Sequence, residues 1–150
     1  MDALVQNGKT TREVLVARWA DIGDKVVALA AEFPEERYEF RPVPEARSFG
    51  DQLRHVAFWN DYVGKTIRGE AASGDANELP RAAFPDKAAV VRAVRDSFDG
   101  VGAQLRGGKT APGADDLDSL VSFIEHGGEH YGQLVVYYRL NGLVPPASRA

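Results

Sequence analysis

Residues 125–133 read EHGGEHYGQ. They carry two of the chain's three histidines and three of its fifteen glycines. Each glycine inside a helix costs roughly 0.8–1 kcal/mol against alanine. Yet Phe123, Ile124, Tyr131, Leu134, Val135, Tyr137 and Tyr138 recur around it at helical spacing, which predicts a continuous helix from about Leu117 to Leu140. Gly142 and Pro145–Pro146 mark its end. His126 and His130 then lie one turn apart on one face. Glycines between and beyond them leave the helix backbone open to a neighbouring helix or a bound molecule.

Three more helical patterns precede this one. The first runs from about Thr10 to Phe33, with Thr10 or Thr11 as cap and Val14, Leu15, Trp19, Ile22, Val26 and Leu29 on its apolar face. Pro42 and Pro44 keep ERYEFRPVPEAR (36–47) out of a helix, and Tyr38 and Phe40 can pack inward from it. Ser48 caps a second helix that ends near Gly69. A polar, breaker-rich loop spans Glu70 to Pro85, and the third helix follows from about Asp86 to Leu105. The loop KTAPGADD (109–116) leads to the fourth. No stretch shows sustained strand alternation. The fold class is therefore all-α, a single four-helix bundle domain over residues 1–150, with connections long enough for a crossover.

Composition narrows the function. With a net charge of −4 and scattered basic residues, neither nucleic acid nor an anionic membrane is an expected partner. The N-terminal stretch MDALVQNGKTTREVLVARWAD does not read as a signal peptide, and no apolar run approaches the ~18 residues of a membrane span, so a soluble cytoplasmic protein is expected. The chain has no cysteine, which removes disulfides, cysteine-based zinc sites and a thiol nucleophile of its own.

The third histidine, His55, lies within the second helix beside Trp59 and Tyr62, off the main apolar stripe. If the second and fourth helices are neighbours, His55, His126 and His130 can converge on one divalent ion at about 2.0–2.1 Å per nitrogen. An HxxxH pair by itself is more often exposed or locally hydrogen-bonded than metal-bound. What strengthens the reading is that all three histidines fall where one bundle brings them together. Asp51, one turn before His55, Ser122, one turn before His126, and Gln133, three after His130, can orient an imidazole or touch a ligand. Capping of the second helix is the plainer role for Asp51. Trp59, Tyr62, Tyr131 and Tyr137 can line a pocket, although aromatics at this spacing are usually core.

These residues carry a resemblance. YEFRPVPEARSFGDQLRHVAFWN (38–60) and HGGEHYGQLVVYYRLNGLVPPAS (126–148) resemble the DinB superfamily of metal-binding four-helix bundles, with one histidine on the second helix and an HxxxH followed by a GQ-like pair on the last. The matching positions are His55, His126, His130, Gly132 and Gln133. The resemblance implies a bundle with a crossover connection. It implies one divalent ion on the three histidines, zinc or nickel before iron or manganese, with open positions taken by water. It also implies a frequent homodimer, and in several relatives group transfer with a low-molecular-weight thiol and a small-molecule substrate. The lead expectation is a thiol-dependent S-transferase. A metal-dependent hydrolase is the near rival, and a non-catalytic metal- or ligand-binding stress-response module is the alternative from another class. A structural ion would call for a fourth protein ligand, and Glu125 and Glu129 point ~80–100° away from the histidine stripe.

Overall fold

A computed structural model describes residues 5–6, 8–108 and 116–149. Its helices are α1 (Thr11–Glu32), α2 (Phe49–Ile67), α3 (Lys87–Arg106) and α4 (Asp116–Leu140). A two-residue antiparallel pairing of Val5–Gln6 (β1) with Lys9–Thr10 (β2) precedes α1, too short for alternation to reveal. Most of the KTAPGADD loop lies outside the described residues.

The helix ends follow from local chemistry. Thr10 and Glu13 form a capping box, the Glu13 N–H donating to Thr10 Oγ1 (3.2 Å) and the Thr10 N–H to Glu13 Oε2 (2.7 Å). Ser48 Oγ accepts the Asp51 N–H (3.1 Å), and Asp86 Oδ1 the Ala89 N–H (2.8 Å). Past the ends of α2, α3 and α4, the chain turns through Gly69, Gly108 and Gly142 at φ of +74°, +63° and +70°, which a Cβ would strain.

Contacts between helices set their order and direction. Arg12 at the start of α1 donates to the Leu105 carbonyl at the end of α3 (2.9 Å), and Lys87 at the start of α3 to the Phe33 carbonyl (2.9 Å), so α1 and α3 are antiparallel. The Tyr138 hydroxyl donates to the Leu29 carbonyl (2.7 Å), so α4 runs with α1. Tyr137 of α4 donates to the Arg47 carbonyl just before α2 (2.5 Å), so α2 runs against α4. Asn60 donates to Ser97 Oγ (3.1 Å) and Arg68 to Gln104 (3.2 Å), so α2 runs with α3. Around the bundle the order is α1–α3–α2–α4. Because α2 and α3 are parallel neighbours, their connection must travel back along the whole helix length. This is the crossover, and the breaker-rich Glu70–Pro85 segment forms most of it.

The core fills the space between all four helices. At one end Phe33 stacks on Phe49 with centroids 3.7 Å apart, and Tyr38 and Tyr138 close around them. Tyr38 is buried, as the 36–47 linker predicts, and Phe40 packs half-buried against Tyr137. Trp19 hands its indole N–H to the Phe98 carbonyl (3.0 Å). Gly127 answers part of the glycine question: a Cβ there would come within 3.1 Å of Ile22, so its bareness seats α1 against α4. Gly128 and Gly132 face open space, and α4 is unbroken through all three. Among the described residues, no helix is long and apolar enough to cross a membrane.

Arg54 is 2% exposed and anchors the crossover to α2. Its Nε and Nη2 donate to the Phe84 carbonyl (3.0 and 2.9 Å), and its Nη1 to Asp51 (3.0 Å). Asp51 also accepts from Arg41 (3.1 Å) and from Arg81 Nε (2.9 Å). Burial pushes the Asp51 carboxyl up, but hydrogen bonds and charge from Arg81, then bonds from Ser48 and Arg54, outweigh it and hold it below the usual carboxylate range.

Candidate metal centre

Three imidazoles meet between α2 and α4. Antiparallel packing sets His55, near the start of α2, opposite the HxxxH turn of α4. One nitrogen from each of His55, His126 and His130 lies within 4.8 Å of the others. His126 Nε2 and His55 Nε2 are 3.2 Å apart, and the rings of His126 and His130 are 4.4 Å apart between centroids.

Neighbouring acceptors choose which nitrogen faces the centre. His55 Nδ1 lies 2.7 Å from the Asn77 carbonyl oxygen. A carbonyl only accepts, so Nδ1 carries the proton and Nε2 keeps its lone pair. His130 Nδ1 donates in the same way to Gln52 Oε1 (2.8 Å) as that amide is oriented. His126 Nδ1 is buried without a hydrogen-bond partner. Two of the three rings are thus held with Nε2 turned inward.

This arrangement fits a divalent ion. Two nitrogens at ~2.0–2.1 Å from a tetrahedral centre stand about 3.3–3.4 Å apart. The His55–His126 separation of 3.2 Å is close to that edge. Facing imidazole lone pairs at this distance repel unless a proton or an ion lies between them. The donor set is all neutral nitrogen, which suits zinc, nickel, iron or manganese. Among the described residues, no carboxylate joins the cluster, and Glu125 and Glu129 are exposed.

Burial and neighbouring charge favour the neutral form of each ring over the imidazolium. Burial, then the charge of His55 and of Arg47, lowers His126 to about 4. Burial, then His126 and His55, lowers His130 to about 4, against a smaller opposing hydrogen bond with Gln133. Burial lowers His55 too, partly offset by its bond to the Asn77 backbone. An unfolded histidine titrates near ~6.5, so between there and about 4 the unfolded chain holds more protons than the folded one. Stability from these rings is complete above the unfolded value and is lost as pH falls through that window. Urea midpoints of metal-free protein are expected to drop from pH 7 to pH 5. A His126→Gln, His130→Gln variant should show a flatter slope, and an equal slope in both proteins would contradict this.

Gln133 lies beside His130 in a cleft, while Gln52 holds the His130 Nδ1 proton. Asp51 is bound to arginines, with the Ser48 cap on its backbone. Ser122 is exposed on α4, and His126 Nδ1 takes no bond from it. Trp59 stands 6.3 Å from the His55 ring and donates its indole N–H to Asn77 Oδ1 (3.0 Å). Sequence reasoning missed Gln52, Asn77 and Arg47. Gln52 lies three residues before His55, one turn along α2, and helical spacing could have flagged it. Asn77 acts through its backbone, which no residue type announces.

Beside His130 opens a cleft of about 490 Å³, lined by Arg41, Arg47, Gln52, Glu78 and Gln133 among others. Arg47 pairs there with Glu78 (3.1 Å). No curated protein matches the chain. The family model of the DinB superfamily matches residues 18–134, from within α1 to just beyond His130 of α4, and the chain is a member of the DinB superfamily.

Proposed function

We propose that this chain is a metal-dependent enzyme that uses an external low-molecular-weight thiol for S-transfer to a small molecule. One observation carries the reading: three neutral histidine nitrogens converge from two helices with no fourth protein ligand beside them among the described residues. Such a set leaves the ion's charge uncompensated and a coordination position free, whereas structural sites are closed by a fourth ligand. A divalent ion held there, zinc or nickel foremost, supplies a Lewis acid that acidifies an adjacent thiol or water. His55 and His130 are the oriented ligands, through Asn77 and Gln52. Burial beside Arg47 keeps His126 and His130 as free bases well below neutral pH. The cleft beside His130 offers guanidinium and amide donors to a polar substrate. With no cysteine in the chain, the thiol must come from outside.

The test is consumption of a small electrophile by zinc- or nickel-loaded protein in the presence of mycothiol, bacillithiol or glutathione. Turnover is expected to need both metal and thiol and to be lost in His126→Ala. Metal-dependent turnover without thiol would make the protein a hydrolase. Silence across a broad panel in metal-loaded protein would favour a non-catalytic binding module.

A further inference from the structure

The crossover between α2 and α3 does more than span a distance. It runs antiparallel to α2 and meets it step by step. Gly74 lies on Trp59, the Asn77 carbonyl meets His55, the Leu79 N–H donates to the Arg54 carbonyl (3.3 Å), and Arg81 meets Asp51. At its centre, residues 74–77 form a tight turn, closed by the Asn77 N–H on the Gly74 carbonyl (3.1 Å). Asn77 sits at φ +60° and, among the described residues, is the one non-glycine with positive φ. Asparagine tolerates that region better than most residues, yet a left-handed backbone persists only where its surroundings demand it.

Here two contacts demand it. The Trp59 indole N–H donates to Asn77 Oδ1 (3.0 Å), which fixes the side chain. The Trp59 ring also lies so close to Gly74 that a Cβ there would fall 2.8 Å from Cη2. The indole therefore acts as a platform that seats both ends of the turn. The product of that seating is a carbonyl oxygen 2.7 Å from His55 Nδ1.

We propose that Trp59 and Asn77 form a clamp that sets the tautomer of His55 and thereby the metal affinity of the site. Both are positioning residues: they act on the ion through His55. The affinity half of this inference rests on the metal-binding reading above, while the tautomer half stands without it. With the turn seated, Nδ1 is protonated and Nε2 presents its lone pair to His126 and His130. With the turn unseated, either nitrogen can carry the proton, and the Nε2–H form cannot bind a metal through Nε2.

Trp59→Phe removes the N–H donor and keeps an aromatic platform. Asn77→Ala removes Oδ1 and strains the positive φ, whereas Asn77→Asp keeps an acceptor and a side chain suited to that φ. Nitrogen-15 correlation spectra of metal-free protein at neutral pH report which ring nitrogen is protonated. Wild type and Asn77→Asp should show His55 protonated at Nδ1. Trp59→Phe and Asn77→Ala should show a mixture, with His130 unchanged because Gln52 holds it separately. Zinc competition with a chromophoric chelator should give about tenfold weaker binding in Trp59→Phe and Asn77→Ala, the lower end of what loss of an outer partner costs. The inference is overturned if His55 stays in the Nδ1–H form with wild-type zinc affinity in both variants. It is equally overturned if His130 shifts along with His55, because the variants would then be loosening the fold at large. If wild type binds no zinc, the metal reading fails, and the His55 spectrum still decides the clamp.

Discussion

Arg54→Met is expected to lower the unfolding free energy of metal-free protein by about 3 kcal/mol, read from urea denaturation. Two losses add up to that figure. The Phe84 carbonyl forfeits both of its guanidinium donors, and an unmet half-buried acceptor costs roughly 1–3 kcal/mol. Asp51 forfeits one of its partners in a largely buried position. Breaking a buried ion pair outright costs ~3–5 kcal/mol, but Arg81 and Arg41 still hold Asp51, so only part of that applies. Arg41→Met gives the contrast. Arg41 is 40% exposed, and a screened pair of that kind contributes ~1 kcal/mol or less. Equal effects from the two substitutions would show that burial of Arg54 is not what ties the crossover to α2.

The second large effect concerns the ligands. Each of His55→Ala, His126→Ala and His130→Ala is expected to weaken zinc binding by more than ~100-fold, since outer partners alone cost ~10–100-fold and a direct ligand must exceed them. Gln52→Ala, which frees the His130 ring without removing it, should fall within that outer range. Helical circular dichroism of metal-free protein should be unchanged in all four. A single histidine whose removal left zinc affinity intact would lie outside the centre, and the remaining pair would have to be read again as a two-nitrogen site.

Much of this architecture can be read from the chain. Periodic apolar residues mark four helices, and Thr10, Ser48 and Asp86 cap the first three close to where spacing predicts. The triad is legible because three histidines occupy flanks of two helices that a bundle can bring face to face. What escapes notice is whatever depends on the order of the helices. Nothing in the local pattern of α2 or α3 says that they run parallel, so although a crossover is expected, spacing does not single out the Glu70–Pro85 stretch as the segment that makes it. Its roles, a backbone carbonyl on His55 and another on Arg54, come from groups that every residue possesses. Arg54 is illegible for a related reason. An arginine on a helix is usually solvated, and only the returning crossover makes a buried position for it. The glycines divide: Gly127 is explained by Ile22 across the α1–α4 contact, and nothing in the fold explains Gly128 or Gly132.

His55, His126 and His130 are proposed to hold one ion. Elemental analysis of untagged protein, incubated with zinc or nickel and desalted, tests it most directly beside a His55→Ala, His126→Ala, His130→Ala variant. A polyhistidine tag would obscure the result. Wild type should hold about one ion per chain, as an open three-nitrogen site would bind, and the variant none. Wild-type protein that stays metal-free, or a variant that keeps its ion, would contradict it.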